Sequence, residues 1–396
     1  MNRLFRIKQG ILCELFVVLV ATSFLIYDKV SERTLATIGQ TSNVSVTGEE
    51  KTGTSGESSD IDSQRTGEQN TDKTESSQEE EKKEFIKWVE FNVSYEALEQ
   101  AYQYDVETYD NEVHVNWIEL LAYLGATYGG EFGNYKKRDM SKLVESLQSK
   151  EETMTSITAD MKYYSYYLEA YTAVLGGLVG EYEIEKKKDD SSEELVWVKK
   201  YGLKGFLPIA KNFPYSDYDD FGVSRSYGYK RRHLGHDMIG QVGTPIVAVE
   251  SGYVEAIGWN QYGGWRLGIR SFDGKRYYYY AHLRKNFPYN KALQEGSIVQ
   301  AGDVIGYLGR TGYSATENVN NIETSHLHIG LQLIFDESQK EGNNEIWVDC
   351  YNLIRFLYRN RSETVKNTDT KEWYRIYNIK DPAVEEFKKM QGKVVN

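Results

Sequence analysis

Five of the six histidines in the 396-residue chain fall between His233 and His328, and three short patterns hold all five. The first runs Arg-Arg-His233-Leu-Gly235-His236-Asp237, the second Tyr280-Ala-His282-Leu, and the third Ser325-His326-Leu-His328-Ile. Residues two apart on a β-strand point to the same face, so His326 and His328 look into one space. A turn through Gly235 can bring His233 and Asp237 to a common point. Any three of these groups suffice for a catalytic zinc, which takes two or three imidazoles, often one carboxylate, and keeps a position for water. Singly, each pattern is commonplace, because a strand-end histidine or a lone His-x-His is mostly hydrogen-bonded in place. Their concentration in one glycine-rich stretch is the signal. Neither cysteine, Cys13 nor Cys350, lies near these motifs, and two cysteines make no disulfide framework.

The elements that must position these side chains read as short strands. Runs at 245–249, 253–257, 266–270, 276–281, 304–308 and 326–334 are separated by Ser-Gly, Gly-Gly, Asp-Gly, Glu-Gly and Thr-Gly turns, which predicts an antiparallel β architecture. Tyr278 and Tyr280 alternate onto one strand face and are expected to help line a cleft, while the rest of the Tyr277–Tyr280 run packs. Upstream the period is helical. Trp117, Leu120, Leu121 and Leu124 form one stripe; Met161, Tyr164, Leu168, Tyr171, Leu175 and Leu178 form a second, ended by Gly176, Gly177 and Gly180. Residues 85–185 therefore read as a small all-α module whose tyrosines serve packing and whose His114 is structural. Beyond 335, residues 347–358 carry Leu353 and Leu357 at helical spacing, so 336–396 reads as a helix leaning on the β domain followed by a charged tail.

The N-terminus has a different character. Arg3, Arg6 and Lys8 precede an apolar run at 11–27, whose seventeen residues rise about 25 Å as a helix, the short end of a bilayer span. Basic residues before the run place 1–10 in the cytoplasm and the remainder outside, with 11–27 as a signal anchor; a cleaved signal peptide and secretion is the alternative. Residues 31–84 contain no Phe, Trp or Tyr, and their 13 acidic and 6 basic side chains give −7 of the net −12, so this stretch reads as a disordered acidic linker. An excess of 59 acidic over 47 basic residues argues against a nucleic-acid partner. A mean hydropathy of −0.59 excludes a polytopic membrane protein. The fold class is multidomain α+β.

The stretch from about Leu203 to Phe335 resembles the lysostaphin-type (LytM-like) zinc metallopeptidases, peptidase family M23. The segment from Asp220 to Arg225 is similar to that family's opening motif, and His233–Asp237 to its His-x-Gly-x-Asp. Gly243–Val249 and Ser251–Glu255 are similar to its paired strands, Tyr280–Leu283 to its Tyr-x-His-Leu, Val299–Gly309 with Thr311-Gly to its lipoyl-like hairpin, and His326-Leu-His328 to its closing motif. Two positions depart from the family pattern: Ser325 stands where proline is usual, and His236 where a small or apolar residue is usual. The resemblance implies a lipoyl-like, barrel-sandwich-hybrid domain over 203–335 with one Zn2+, held by His233, Asp237 and His328. His282 and His326 would be the catalytic pair off the metal. His236, Tyr280 and Arg225 would stand behind the ligands or touch substrate, with His236 hydrogen-bonded rather than ligating. The expected activity is hydrolysis of stem-peptide or cross-bridge bonds in bacterial peptidoglycan by a single-pass, membrane-tethered enzyme, with the helical module positioning it, regulating access or meeting an envelope protein. A family member without catalysis, acting as a structural or regulatory envelope-binding protein, is the alternative.

Overall fold

In a computed structural model, residues 84–189, 191–227 and 229–394 are described. The expected cytoplasmic stretch, membrane span and linker lie outside these residues, Glu84 apart; among the described residues no helix is long and apolar enough to cross a membrane.

Helix α1 (Tyr95–Thr108) starts where the Ser94 hydroxyl accepts from the Ala97 N–H. Helix α2 (Trp117–Tyr128) starts where the Asn116 side chain accepts from the Ile118 and Glu119 N–H groups, which satisfies donors that a helix start leaves bare. Helices α3 (Lys137–Gln148), α4 (Met154–Thr158) and α5 (Tyr164–Leu175) follow. The expected stripe Trp117, Leu120, Leu121 and Leu124 is buried on α2. The second expected helix is shorter than its stripe: Met161 sits in the turn before α5, its carbonyl accepting from the Tyr164 N–H, and Leu178 lies past the Gly176–Gly177 stop. His114 is structural, as expected, with its Nε2 3.0 Å from the buried Asp105 carboxylate.

The all-α stretch ends earlier than residue 185. Strand β1 (Val179–Lys187) begins inside it and forms a long antiparallel hairpin with β2 (Leu195–Leu203). The strands that follow are β3 (Tyr215–Ser216), β4 (Ser224–Tyr227), β5 (Tyr229–Arg232), β6 (His236–Gly240), β7 (Pro245–Val247), β8 (Gly252–Asn260), β9 (Gly264–Ser271), β10 (Arg276–Ala281), β11 (Ile298–Val299), β12 (Val304–Tyr307), β13 (His326–Leu333) and β14 (Ile346–Val348). The main sheet runs β11-β8-β9-β10-β13-β6-β3 with β14 also on β13, and its pairs are antiparallel, as the turn-separated runs predicted. Strand β14 extends this sheet past residue 335. Trp347 is therefore on a strand, and the expected helix from 347 to 358 is confined to α6 (Tyr351–Leu357), where Leu353 and Leu357 are buried. The tail has structure of its own: β15 (Thr364–Lys366) pairs with β16 (Trp373–Arg375), β17 (Ile379–Lys380) pairs with β1, and α7 (Pro382–Val394) closes the chain.

Helices and sheet share one hydrophobic core. Phe356 of α6 stands edge-on to Tyr102 of α1, ring centroids 5.4 Å apart, and stacks on Trp117 of α2 at 5.7 Å. Arg276, at the start of β10, is 1% exposed and makes the polar join. Its guanidinium meets Glu250 through two bonds of 2.8 and 3.0 Å and donates to the Thr172 and Ala173 carbonyls at the end of α5. A cation there faces the negative end of the helix dipole and satisfies carbonyls the helix leaves open. Removing one partner of such a buried pair strands the other charge, at a cost of about 3–5 kcal/mol. Arg276→Ala is expected to lower the unfolding free energy by roughly that amount in urea titrations. A loss below about 1 kcal/mol would show that the join contributes little.

Candidate metal centre and cleft

Three strands converge on the histidine motifs. The register pairs His328 of β13 with Asp237 of β6 and with Ala281 of β10, placing these three in one row across the sheet. Alternation puts His326 and His328 on one face and Leu327 and Ile329, both fully buried, on the other. His233 arrives from the loop between β5 and β6. There Gly235 is required for steric reasons: a Cβ at this position would lie 2.5 Å from Cε1 of His328 and 2.7 Å from the Ile329 carbonyl oxygen.

The result is a triangle of ligand atoms. His233 Nε2 lies 3.0 Å from Asp237 Oδ1 and 2.9 Å from His328 Nδ1, and His328 Nδ1 lies 3.0 Å from Asp237 Oδ1. The roughly 4 Å spacing that ~2 Å metal bonds allow is met. Protons alone satisfy this arrangement poorly. His233 Nδ1 donates to the Asp220 carbonyl oxygen at 2.9 Å, so its Nε2 turns to the centre. Burial opposes charge on His233, but the Asp220 and Asp237 carboxylates outweigh it and hold its pKa up at about 9, so one proton sits among the three atoms. Burial lowers the pKa of His328 and so favours the neutral ring, whose Nδ1 either donates to the Asp237 oxygen or accepts from His233, but not both. One edge of the triangle therefore sets like against like, two acceptors or two donors, whereas a single cation satisfies all three atoms at once. Two imidazoles and one carboxylate are also the donor set of a zinc site with an open position.

Behind the triangle stands a residue that the motif reading quoted without assigning it a role. Asp220, wholly buried, accepts from Arg225 Nη2 at 2.7 Å and places its Oδ2 3.2 Å from His233 Nδ1. Arg225 also donates to Asp237 Oδ2 at 3.0 Å, leaving Oδ1 for the centre. Arg225 thus stands behind the triangle. His236 does not face the triangle. It neighbours Asp237 on β6, so alternation sends it to the opposite face, where it is 1% exposed and hydrogen-bonds Asp217 Oδ2 at 2.9 Å. Burial works against its charge, yet Asp217 and Asp220 raise its pKa to about 9.

His282 and His326 stand beside the triangle with ring centroids 4.8 Å apart, and His282 is 5.9 Å from His328. His282 Nδ1 faces the Thr311 carbonyl oxygen at 2.9 Å and His326 Nδ1 faces that of Thr324 at 2.8 Å. Carbonyls only accept, so each Nδ1 carries a proton and each Nε2 keeps a lone pair. Burial, then the neighbouring His326 and His328 imidazoles, holds the pKa of His282 well below the ordinary value. His282 also adopts φ 61°, a left-handed conformation that costs a non-glycine residue roughly 1–3 kcal/mol.

The centre opens on a cleft of about 540 Å3. Here one expectation is corrected: Tyr277 and Tyr279 line the cleft, while Tyr278 and Tyr280 face the core. The Tyr280 hydroxyl accepts from the Val249 N–H at 3.0 Å, and Tyr278 donates to Glu250. The period of two was right and its phase was wrong by one residue. Trp347 of β14 closes another side of the cleft, its indole donating to Glu345 at 2.7 Å.

The cleft thus lies on an antiparallel sheet, with a three-atom group spaced to hold a cation and two further imidazoles beside it. Residues 231–343 match the family model described as peptidase family M23. The chain is 37% identical over 125 residues to the L-Ala–D-Glu endopeptidase of Bacillus subtilis strain 168, covering 32% of this chain and 36% of that protein. It is 38% identical over 89 residues to lysostaphin of Staphylococcus simulans, covering 22% and 17%. The matches thus span about a third or less of these curated relatives. A solved structure of a candidate glycyl-glycine endopeptidase from Ruminococcus gnavus aligns at 25% identity with a TM-score of 0.44, covering 69% of this chain and 90% of that one.

Gly235→Ala is expected to displace the His328 ring and cost about 1–3 kcal/mol, an overpacking penalty. Urea denaturation and the imidazole proton resonances of His328 read both effects; unchanged resonances would contradict the close approach.

Proposed function

We propose that the chain is a zinc-dependent endopeptidase that hydrolyses peptide bonds of bacterial peptidoglycan, with one Zn2+ per chain. The observation that carries this reading is the triangle of His233 Nε2, Asp237 Oδ1 and His328 Nδ1 beside two imidazoles whose tautomers leave Nε2 free of a proton. The Bacillus subtilis relative, named as an L-Ala–D-Glu endopeptidase, supports the reaction class. Residues 11–27 would tether the chain to the membrane, with the peptidase domain outside.

His233, Asp237 and His328 hold the metal in this reading, and when bound it supplies a water of lowered pKa and polarises the scissile carbonyl. The chain's own residues do the rest. His282 and His326, pinned through Nδ1 to the Thr311 and Thr324 carbonyls, present Nε2 toward the reacting centre. One of the pair takes the proton of the attacking water; the other, protonated, donates to the oxygen on which negative charge develops. Asp220 and Arg225 fix the His233 ring and the Asp237 carboxylate, so the donors need not reorganise. The walls formed by Tyr277, Tyr279 and Trp347 hold an extended peptide along the sheet.

The test is purified cell-wall sacculi incubated with the full-length chain, scored by new amine groups and by mass spectrometry of the released muropeptides. His326→Ala and His282→Ala are expected to keep their zinc, by elemental analysis, and to lose about 10²–10⁴-fold in rate. His233→Ala and Asp237→Ala are expected to lose the metal, and Asp220→Ala to bind zinc about 10–100-fold more weakly. No new amine groups from the wild-type chain, or as many from His326→Ala as from wild type, would overturn the assignment.

A further inference from the structure

Arg266 on β9 is half-buried in the wall of the metal cleft, and its Nη1 is buried without a hydrogen-bond acceptor. Among the described residues no hydrogen-bond acceptor and no carboxylate meets its guanidinium. The other cations of the cleft each have a partner or water, although Arg231 too keeps a buried Nη1 without an acceptor. Arg231 donates to the Tyr313 hydroxyl at 2.6 Å and lies over the Tyr313 ring; Lys340 pairs with Glu255 at 3.4 Å; Arg232 is exposed, so water can solvate it. A guanidinium offers five donors and keeps its charge at any physiological pH. Withdrawing it from bulk water without a partner costs free energy.

The register says where this charge points. Leu267 pairs with Tyr280, and both are fully buried, so their neighbours Arg266 and Ala281 face the cleft. Ala281 pairs with His328. Strand β9 is two places from β13 in the sheet, so the Arg266 backbone stands about 10 Å from that of His328. An extended peptide advances about 3.3 Å per residue, and the reach of the arginine side chain shortens the gap, which puts its partner within about two residues of the bond at the metal.

We propose that Arg266 is a specificity-determining residue that binds a free carboxylate on the peptide, so that the cleft selects an acidic stem peptide over an uncharged glycine bridge. This rests on the endopeptidase reading and names its substrate class. In a γ-linked glutamyl peptide the α-carboxylate stays free beside the chain, where a planar guanidinium engages it through two parallel bonds; amidating that carboxylate removes the charge and keeps the shape.

The experiment measures binding to the zinc-loaded full chain carrying His326→Ala, which suppresses turnover. The probes are an acetylated, C-terminally amidated peptide containing L-Ala-γ-D-Glu, the same peptide with the α-carboxylate amidated, and acetyl-pentaglycine amide. The carboxylate peptide is expected to bind at least about tenfold more tightly than either uncharged one, as a charge-assisted bidentate pair should. Adding Arg266→Gln is expected to bring that ratio within about twofold, and Arg266→Lys to restore part of it. A ratio near one with Arg266 present, or a ratio that survives Arg266→Gln, overturns the proposal. Hydrolysis by the chain without His326→Ala separates the two readings: if both glutamyl peptides are cut equally, the peptidase stands and the carboxylate site falls. If neither is cut while the binding ratio holds, the carboxylate site stands and the peptidase falls.

Discussion

Two imidazole nitrogens and a carboxylate oxygen held 2.9–3.0 Å apart cannot share protons so that every contact is attractive. The surrounding structure is arranged to keep them there regardless. The ladder between β6 and β13 sets the spacing of Asp237 and His328, and the buried Asp220 with Arg225 prevents His233 and Asp237 from turning aside. Such a cluster is costly in the free chain and becomes favourable when a divalent cation enters, so folding stability and metal affinity are linked quantities here. The left-handed backbone at His282 belongs to the same pattern, because strain is tolerated where the surroundings over-determine a conformation.

The sheet that holds this centre is not independent of the helices. Arg276 starts the strand that carries Tyr277 and Tyr279 into the cleft, and the same guanidinium closes the carbonyl end of α5. The next residue after Arg276, Tyr277, is already cleft wall, so α5 and the wall are joined through one side chain. The helical stretch also reaches the outer surface near the site. A second cavity of about 510 Å3, lined by Trp88 and Phe91 before α1, shares Arg232, Leu234, Glu345 and Trp347 with the metal cleft. Residues just before α1 therefore line a cavity that adjoins the metal cleft, while the helices contribute to the core.

Most of the chemistry was legible in the sequence, because alternation and turn spacing are local. His326 and His328 fall on one face, Asp237 joins them, and the strand runs match β8, β9, β10 and β13 closely. What periodicity cannot give is phase. It tells that Tyr278 and Tyr280 share a face; only the pairing of Tyr280 with Ile329 and Leu267, both core residues, decides that the face is the inner one. The hairpin of β1 and β2 was missed for a different reason. Tyr182 and Ile184 alternate with Glu181, Glu183 and Glu185, a strand signal, but the lysines and aspartates that follow read as a solvated charge run. Asp220 carried no signal of spacing at all. Its importance comes from bonds to His233 and Arg225 that only the folded chain makes.

Glycine density in this half of the chain has a physical explanation that follows from the cleft. A sheet face that keeps a cleft open and also brings imidazoles and phenols into close contact has no room for side chains at every position. At Gly268, on the strand that carries Arg266, a Cβ would lie 1.9 Å from the Tyr277 hydroxyl. Tyr277 can fold across the sheet there only because nothing projects from below, and it thereby forms the wall nearest the arginine. Gly235 does the same for His328. The cost at Gly268 is a weaker intrinsic strand preference, since glycine loses more backbone entropy on ordering than any other residue. Neighbouring strands supply the compensation: β10 and β13 pair along their whole lengths with fully buried Leu267, Tyr280, Leu331 and Leu333 beneath them, so the floor of the cleft is held rigid from the core side.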